Sequence, residues 1–158
     1  MKNIGEKSTG RIEEFMATPN YQTPNYVLDS FALVAYFQAE PGGEIVSRLL
    51  ERAQRSEISL YLSIMNMGEV FYITLRELGN DIAESLINDI HNLPIQIRSV
   101  TDDNVMSAAR LKGQYTFSFC DAFATTLAQE LQASVVTGDP EFRNVRGIIN
   151  IEWLPQNQ

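Results

Sequence analysis

The stretch Tyr26-Val27-Leu28-Asp29-Ser30-Phe31-Ala32-Leu33 decides the fold. A short apolar run ends at an aspartate, and apolar residues then continue at helical spacing. A second run, Ser134-Val135-Val136-Thr137, breaks at Gly138-Asp139-Pro140. Apolar strands that pass into helices indicate an open parallel sheet, and such sheets bind ligands outside the carboxyl ends of their strands. Two strand ends that carry an aspartate are therefore the first indication of a functional site.

Short apolar runs and amphipathic periods alternate along the rest of the chain. The further predicted strands are residues 58–64, 95–100 and 148–153. The predicted helices include residues 67–78, a helix capped by Asp81 and ended by Pro94, a helix capped by Thr101, and a helix over 119–131 capped by Ser118. This alternation predicts an α/β fold in three layers, with a mostly parallel central sheet and helices on both faces.

The chain has 158 residues, which favours one domain with a short appendage. We expect residues 1–24 to be a flexible N-terminal appendage, because apolar patterning is weak there and becomes regular only after it. Residues 25–158 are predicted to form the folded domain. Met16 is an alternative start site.

Composition excludes several classes of protein. No apolar run approaches the roughly 20 residues of a membrane span, so we expect no membrane partner and a cytoplasmic location. The net charge of −8 argues against a broad basic face for nucleic acid. Cys120 and His91 are the only residues of their types, which excludes thiolate zinc sites and makes a Ser-His-Asp triad a poor fit.

Four acids interrupt sequence that is otherwise apolar: Asp29, Glu69, Asp121 and Asp139. Buried carboxylates are costly unless they are paired or bind a metal, and few cations lie near these positions in the sequence. Oxygen ligands suit Mg²⁺ or Mn²⁺. A metal held in this way can activate water and stabilise charge on a phosphodiester, so phosphodiester hydrolysis is the predicted chemistry.

Four motifs follow one another in a recognisable order. They are Val27-Leu28-Asp29-Ser30-Phe31-Ala32-Leu33, Ser63-Ile64-Met65-Asn66-Met67-Gly68-Glu69-Val70, Ser118-Phe119-Cys120-Asp121-Ala122 and Val136-Thr137-Gly138-Asp139-Pro140-Glu141-Phe142. Over residues 25–154 the chain resembles PIN-domain ribonucleases, most of all the VapC-type toxins of toxin–antitoxin systems. Phe119 and Cys120 depart from the small or aliphatic residues that are more familiar in this family.

The resemblance implies a PIN-like fold, a homodimer and an endoribonuclease that depends on Mg²⁺ or Mn²⁺. It also implies an RNA substrate and a cognate antitoxin protein. The family's acidic quartet falls on Asp29, Glu69, Asp121 and Asp139. Thr137 and Asn66 match its polar positions, and we expect them to orient carboxylates or water.

Each acid also has a purely structural interpretation. Asp29 could cap the helix that follows it, Asp139 could belong to a Gly-Asp-Pro turn, and Asp121 could complement a helix dipole. Glu69 has no such explanation. Asp102 and Asp103 open a helix, and we interpret them as structural.

Other conspicuous residues are interpreted as structural as well. Cys120 is expected to be a packed thiol, His91 to interact with helix-terminal carbonyls, and the phenylalanines at 117, 119 and 123 to be core. The apolar stripe from Ile82 to Leu93 is expected to be core, with a dimer or antitoxin surface as the alternative. A further hypothesis gives phosphate contacts to a set of arginines: Arg48, Arg52, Arg55, Arg76, Arg110 and Arg143.

Two other functions compete with the ribonuclease. One is a PIN-like scaffold that binds RNA or a protein without cleaving. The other is a phospho-aspartyl hydrolase or receiver domain. The hydrolase needs a second acid two residues after the first, where this chain has Phe31.

Overall fold

The computed structural model describes residues 23–156, which fold around one five-stranded sheet. Its strands are β1 (Asn25–Leu28), β2 (Ser59–Ser63), β3 (Gln96–Arg98), β4 (Ser134–Thr137) and β5 (Asn150–Trp153). They lie in the order β3-β2-β1-β4-β5, and all four pairings are parallel. The predicted α/β class with a parallel central sheet is confirmed. The expectations for the appendage up to residue 22 and for Met16 lie outside the described residues.

Six α-helices and one 3₁₀ helix connect the strands in the described range. The helices are α1 (Ser30–Phe37), α2 (Gly43–Gln54), α3 (Ile64–Leu78), α4 (Asn80–Asn92), α5 (Asp102–Gln114) and α6 (Phe119–Leu131), and the 3₁₀ helix is Pro140–Val145. Neighbouring residues of β1 pack on opposite faces of the sheet. Leu28 belongs to a hydrophobic cluster with residues of α1 to α4, and Val27 belongs to one with residues of α5 and α6. The sheet therefore lies between two helical layers, as predicted.

The register brings four polar residues into one row at the carboxyl edge of the sheet. Leu28 pairs with Leu62 and with Val136, so the next residues, Asp29, Ser63 and Thr137, lie level with one another. Ser63 in turn pairs with Arg98, the fourth residue of the row. Side chains two positions apart in a strand share a face. Because Val27, Tyr61 and Val135 all pack on the α5–α6 side, this row faces α6.

Two of the three predicted helix N-caps are confirmed. Thr101 and Ser118 form capping boxes with Asn104 and Asp121. The cap at Asp81 is wrong: α4 begins one residue earlier, and Asp81 lies in its first turn. Gly79 precedes the helix with φ of 90°, a conformation that favours glycine, and it separates α3 from α4 there.

Three further predictions differ in detail. β2, β3 and β5 are each shorter than the predicted ranges 58–64, 95–100 and 148–153. α3 begins at Ile64 rather than Met67, since the Ser63 hydroxyl accepts a hydrogen bond from the Met65 N–H at 3.2 Å. The Ile82–Leu93 stripe is core only in part: Ile90 is buried, whereas Ile82 is 50% exposed.

Among the described residues, no helix is long and apolar enough to cross a membrane.

Candidate active site

The four predicted acids line a single cleft of about 690 Å³ at the carboxyl edge of the sheet. β1 delivers Asp29, β4 leads to Asp139, the first turn of α6 carries Asp121, and the second turn of α3 carries Glu69. The sequence separates these residues by up to 110 positions, and the parallel topology brings them together. Asp102 and Asp103, interpreted as structural, are exposed in the first turn of α5 and do not line the cleft.

Asp29 is almost fully buried, with 1% of its surface exposed, and both carboxylate oxygens are engaged. Oδ1 accepts a hydrogen bond from the Ala32 N–H at 2.9 Å, which caps α1. Oδ2 accepts one from the Thr137 hydroxyl at 2.5 Å. The capping interpretation is therefore correct, yet the same carboxylate also lines the acidic cleft.

Thr137 links two of the acids by hydrogen bonds. While its hydroxyl donates to Asp29, its oxygen accepts a hydrogen bond from the Asp139 N–H at 2.9 Å. Asp139 in turn caps the 3₁₀ helix by accepting from the Glu141 N–H at 2.8 Å. The preceding Gly138 lies against the Phe31 ring, and any Cβ there would overlap that ring.

Asp121 is held by its own helix. Its carboxylate accepts a hydrogen bond from the Ser118 N–H at 3.2 Å, and the Ser118 hydroxyl accepts one from the Asp121 N–H at 3.0 Å. This capping box fixes a side chain that is only 5% exposed. A structural role at the helix start and a place in the cleft again coincide in one residue.

Glu69 is held by a residue that sequence reasoning missed. The Ser30 hydroxyl donates to Glu69 Oε2 at 2.5 Å, and the Ser30 oxygen accepts from the Asn66 amide at 3.2 Å. Asn66 is therefore linked to the Glu69 carboxylate through Ser30. The position of Ser30, directly after Asp29 at a strand end, is the sequence signal that could have identified it.

Glu141 is the second residue that sequence reasoning missed. One ligand atom from each of Asp121, Asp139 and Glu141 lies within 4.8 Å of the others, a spacing that could hold a metal ion. Carboxylate oxygens suit hard divalent cations, so the donor chemistry fits Mg²⁺ or Mn²⁺. Glu141 follows Asp139 by two residues and is exposed, like many acids that have no function.

Burial shifts the pKa of two of these acids. It raises the pKa of Asp29 to about 8, although the hydrogen bonds from Thr137 and Ala32 oppose the shift. Burial, reinforced by repulsion from Asp139 and Glu69, raises the pKa of Asp121 to about 6, against the opposing hydrogen bonds from Ser118. No lysine or arginine lines the cleft among the described residues, so no protein cation offsets this cost.

Two of the arginines proposed for phosphate contacts lie outside the acidic cleft. Arg52 and Arg55 contact Glu57 at 3.5 and 2.6 Å, where α2 leads into the start of β2. This is the amino edge of the sheet, opposite the acids. At this edge the two arginines pair with Glu57 and do not line the acidic cleft.

The remaining conspicuous residues behave in different ways. Burial, together with repulsion from Glu69 and Asp121, raises the pKa of the Cys120 thiol to about 11. A protonated, half-buried thiol agrees with the packing interpretation. Phe117 and Phe123 are buried as predicted, but Phe119 is 42% exposed, so its assignment to the core is wrong. His91 is exposed in the last turn of α4.

Comparison with known proteins agrees with this geometry. The family model described as PIN domain matches residues 26–148, which is most of the chain. None of the curated proteins matches the chain in sequence.

Solved structures share the fold. The chain is similar to VapBC2 of Rickettsia felis bound to a promoter DNA fragment, with TM-score 0.64, 15% identity, and 83% of this chain and 99% of that chain covered. It is also similar to VapC20 of Mycobacterium tuberculosis, a toxin that cleaves the sarcin-ricin loop, with TM-score 0.64, 18% identity, and 82% and 99% covered. DNA-bound VapBC of Salmonella typhimurium gives TM-score 0.63 at 15% identity, with 82% and 97% covered.

Proposed function

This chain belongs to the PIN-domain family, and we propose that it is an endoribonuclease that hydrolyses RNA phosphodiester bonds with Mg²⁺ or Mn²⁺. One observation carries the proposal: Asp29, Glu69, Asp121 and Asp139 line one cleft that no basic side chain of the described residues enters. Converging carboxylates without a cation destabilise a fold, and a divalent ion removes that repulsion.

Asp29, Asp121 and Asp139 are the proposed metal ligands. Their oxygens are already oriented by Thr137 and by the helix caps, so little side-chain freedom remains to be lost on binding. A bound divalent cation would lower the pKa of a water ligand and neutralise charge on the phosphate. Glu141 is placed to add a carboxylate beside Asp121 and Asp139.

Glu69 of α3 completes the set of acids that line the cleft. Its Oε2 is held by the Ser30 hydroxyl, and the carboxylate is the proposed acceptor of a hydrogen bond from the attacking water. Ser30, Asn66 and Thr137 are positioning residues, since they act on the carboxylates rather than on the substrate.

We also propose that the chain is the toxin of a type II toxin–antitoxin pair, located in the cytoplasm with a cognate antitoxin and acting as a homodimer. Of the similar structures, VapC20 is a toxin that cleaves the sarcin-ricin loop, and a further one is a toxin–antitoxin complex from Klebsiella pneumoniae. On this proposal, residues 25–158 are the nuclease domain.

The direct test is cleavage of a mixed-sequence single-stranded RNA by the full chain with Mn²⁺. Asp121→Asn should reduce the rate by more than the roughly 10- to 100-fold loss typical of outer-sphere partners. Asp102→Asn is the matched control, because this exposed acid also lies in the first turn of a helix but outside the cleft. Binding of RNA without cleavage by the wild type would favour the non-cleaving scaffold instead.

A further inference from the structure

We infer that a second cavity at the same sheet edge binds a nucleobase of the RNA, with guanine as the preferred base. It is a cavity of about 290 Å³ between the ends of β2 and β3 and the helices α5 and α6. The inference rests on the proposed ribonuclease function and adds to it a determinant of sequence preference.

The cavity is aligned with the acidic cleft. Ser63 and Arg98 line it, and they belong to the same register row as Asp29, on the same face of the sheet. Neighbouring strands lie about 4.8 Å apart. The backbone of Ser63 is therefore one strand and that of Arg98 two strands from Asp29, a separation of about 5 and about 10 Å. This spacing suits a nucleotide next to the scissile phosphate.

Arg98 contributes a guanidinium group to the wall of this cavity. Arg98 is exposed, and among the ion pairs of residues 23–156 it takes part in none. Its guanidinium lies 5.9 Å from the centroid of the Tyr61 ring, which orients it by a cation–π contact. Arginine held in this way presents paired N–H donors, the groups that recognise O6 and N7 of guanine.

Helix α6 contributes a hydrogen-bond acceptor to the cavity, the Glu130 carboxylate. The Asn104 amide donates to Glu130 Oε2 at 3.4 Å, while its own oxygen is used in the cap of α5. Both side chains line the cavity. A carboxylate oriented in this way can accept hydrogen bonds from the N1–H and the exocyclic amino group of guanine. The same carboxylate disfavours a free anion, so a base fits better than a phosphate.

A buried hydroxyl without a partner also lines the cavity. Thr126 is 8% exposed, and its Oγ1 has no hydrogen-bond partner. Buried polar groups are normally satisfied, and one left without a partner costs free energy. A ligand that carries hydrogen-bonding groups, as every nucleobase does, would remove that cost. Thr125, its neighbour on α6, has a similar unpartnered hydroxyl but does not line the cavity.

Apolar walls suit the flat faces of a base. Phe123 and Leu127 line one side of the cavity, and Phe123 packs on the exposed ring of Phe119 at a centroid distance of 4.9 Å. Phe119 precedes Asp121 by two residues. The exposed ring gives an aromatic surface next to Phe123, which lines the cavity, and unstacked RNA bases bind to such surfaces.

The experiment measures binding of 5′-GMP to the full chain by calorimetric titration without metal, with AMP, CMP and UMP as comparisons. All four carry the same phosphate, so a difference reports the base. GMP is expected to bind most tightly. Arg98→Ala should weaken it about tenfold or more, and Thr126→Val about fivefold. Thr125→Val and Arg55→Ala are the matched controls, and both should keep the wild-type affinity.

The inference is overturned if GMP shows no saturable binding, if the four nucleotides bind equally, or if the controls lose as much affinity as the cavity variants. Asp121→Asn separates this result from the nuclease proposal, because it should abolish cleavage and leave GMP binding intact. If the wild type binds GMP but never cleaves RNA, the cavity assignment stands and the nuclease fails. If Arg98→Ala cleaves RNA with an unchanged base preference, the cavity assignment fails and the nuclease stands.

Discussion

Charges are arranged in opposite ways at the two edges of the sheet. At the amino edge, Arg52 and Arg55 both pair with Glu57, and all three side chains are partly or largely exposed. Hydrogen bonding and attraction from Arg55 lower the pKa of Glu57. At the carboxyl edge, Asp29 and Asp121 are buried in a cleft that no lysine or arginine of residues 23–156 lines, and their pKa values are raised. The comparison separates charged groups that stabilise one another in solvent from carboxyl groups whose ionised form burial disfavours.

The largest expected effect is on the pH dependence of stability of the metal-free protein. The pKa of Asp29 is about 8 in the folded chain and near 3.8 when unfolded, so the folded state holds the extra proton between these values. Stability should therefore fall as pH rises from about 4 to 8, by up to about 1.4 kcal/mol per pH unit for each retained proton. Asp121 adds to this fall up to about pH 6.

Asp29→Asn isolates that contribution, since the amide keeps the shape but does not titrate. Urea unfolding at several pH values should give a flatter slope for the variant than for the wild type. Glu57→Gln, at the other edge, is the control that should leave the slope between pH 5 and 8 unchanged. Parallel slopes for wild type and Asp29→Asn would mean that the acidic cleft carries no such cost.

A smaller effect is expected from Thr137→Val, which preserves shape and removes the hydroxyl that donates to Asp29. The pKa of Asp29 should rise further, because that hydrogen bond stabilises the ionised form. RNA cleavage should fall by about 10- to 100-fold, and its pH profile should shift to higher pH. Thr125→Val, buried on α6 and outside the cleft, should change neither quantity.

Ser30→Ala should have a weaker effect, because it frees Glu69 without removing any acid. The expected loss of cleavage is about tenfold, at the lower end for outer-sphere partners. Ser47→Ala, on α2 and away from the cleft, is the matched control. If the two serine variants have equal rates, Glu69 does not depend on Ser30 for its position.

The smallest effect belongs to the amino edge itself. Glu57→Gln removes the partner of Arg52 and Arg55, but exposed ion pairs contribute little. We expect no resolvable change in thermal stability or RNA cleavage. A clear loss of cleavage would contradict the division of roles between the two edges.

The acids could be predicted from the sequence because their signal is local. Asp29 and Asp139 follow apolar strands, and the carboxyl ends of parallel strands meet at one edge. Glu69 stands out because an apolar helix gains nothing from an unpaired glutamate. The order of strands and helices was predictable for the same reason, since alternation determines it.

The features that the sequence did not reveal depend on contacts between distant elements. The link from Ser30 to Glu69 joins α1 to α3, and the exposure of Phe119 depends on how α6 meets its neighbours. The location of Arg52 and Arg55 depends on where α2 ends relative to the sheet. Amphipathic spacing shows that these arginines face solvent but not which edge of the sheet they occupy.

The central claim, that the acids at the carboxyl edge form a metal site, is tested most directly by thermal unfolding during a Mn²⁺ titration, with Mg²⁺ in parallel. A ligand specific for the native state stabilises by about 2.7 kcal/mol at a hundredfold excess over its dissociation constant. We predict that the wild type is stabilised in this way and that Asp121→Asn is not. Equal responses of the two proteins, or no response from either, would contradict the claim.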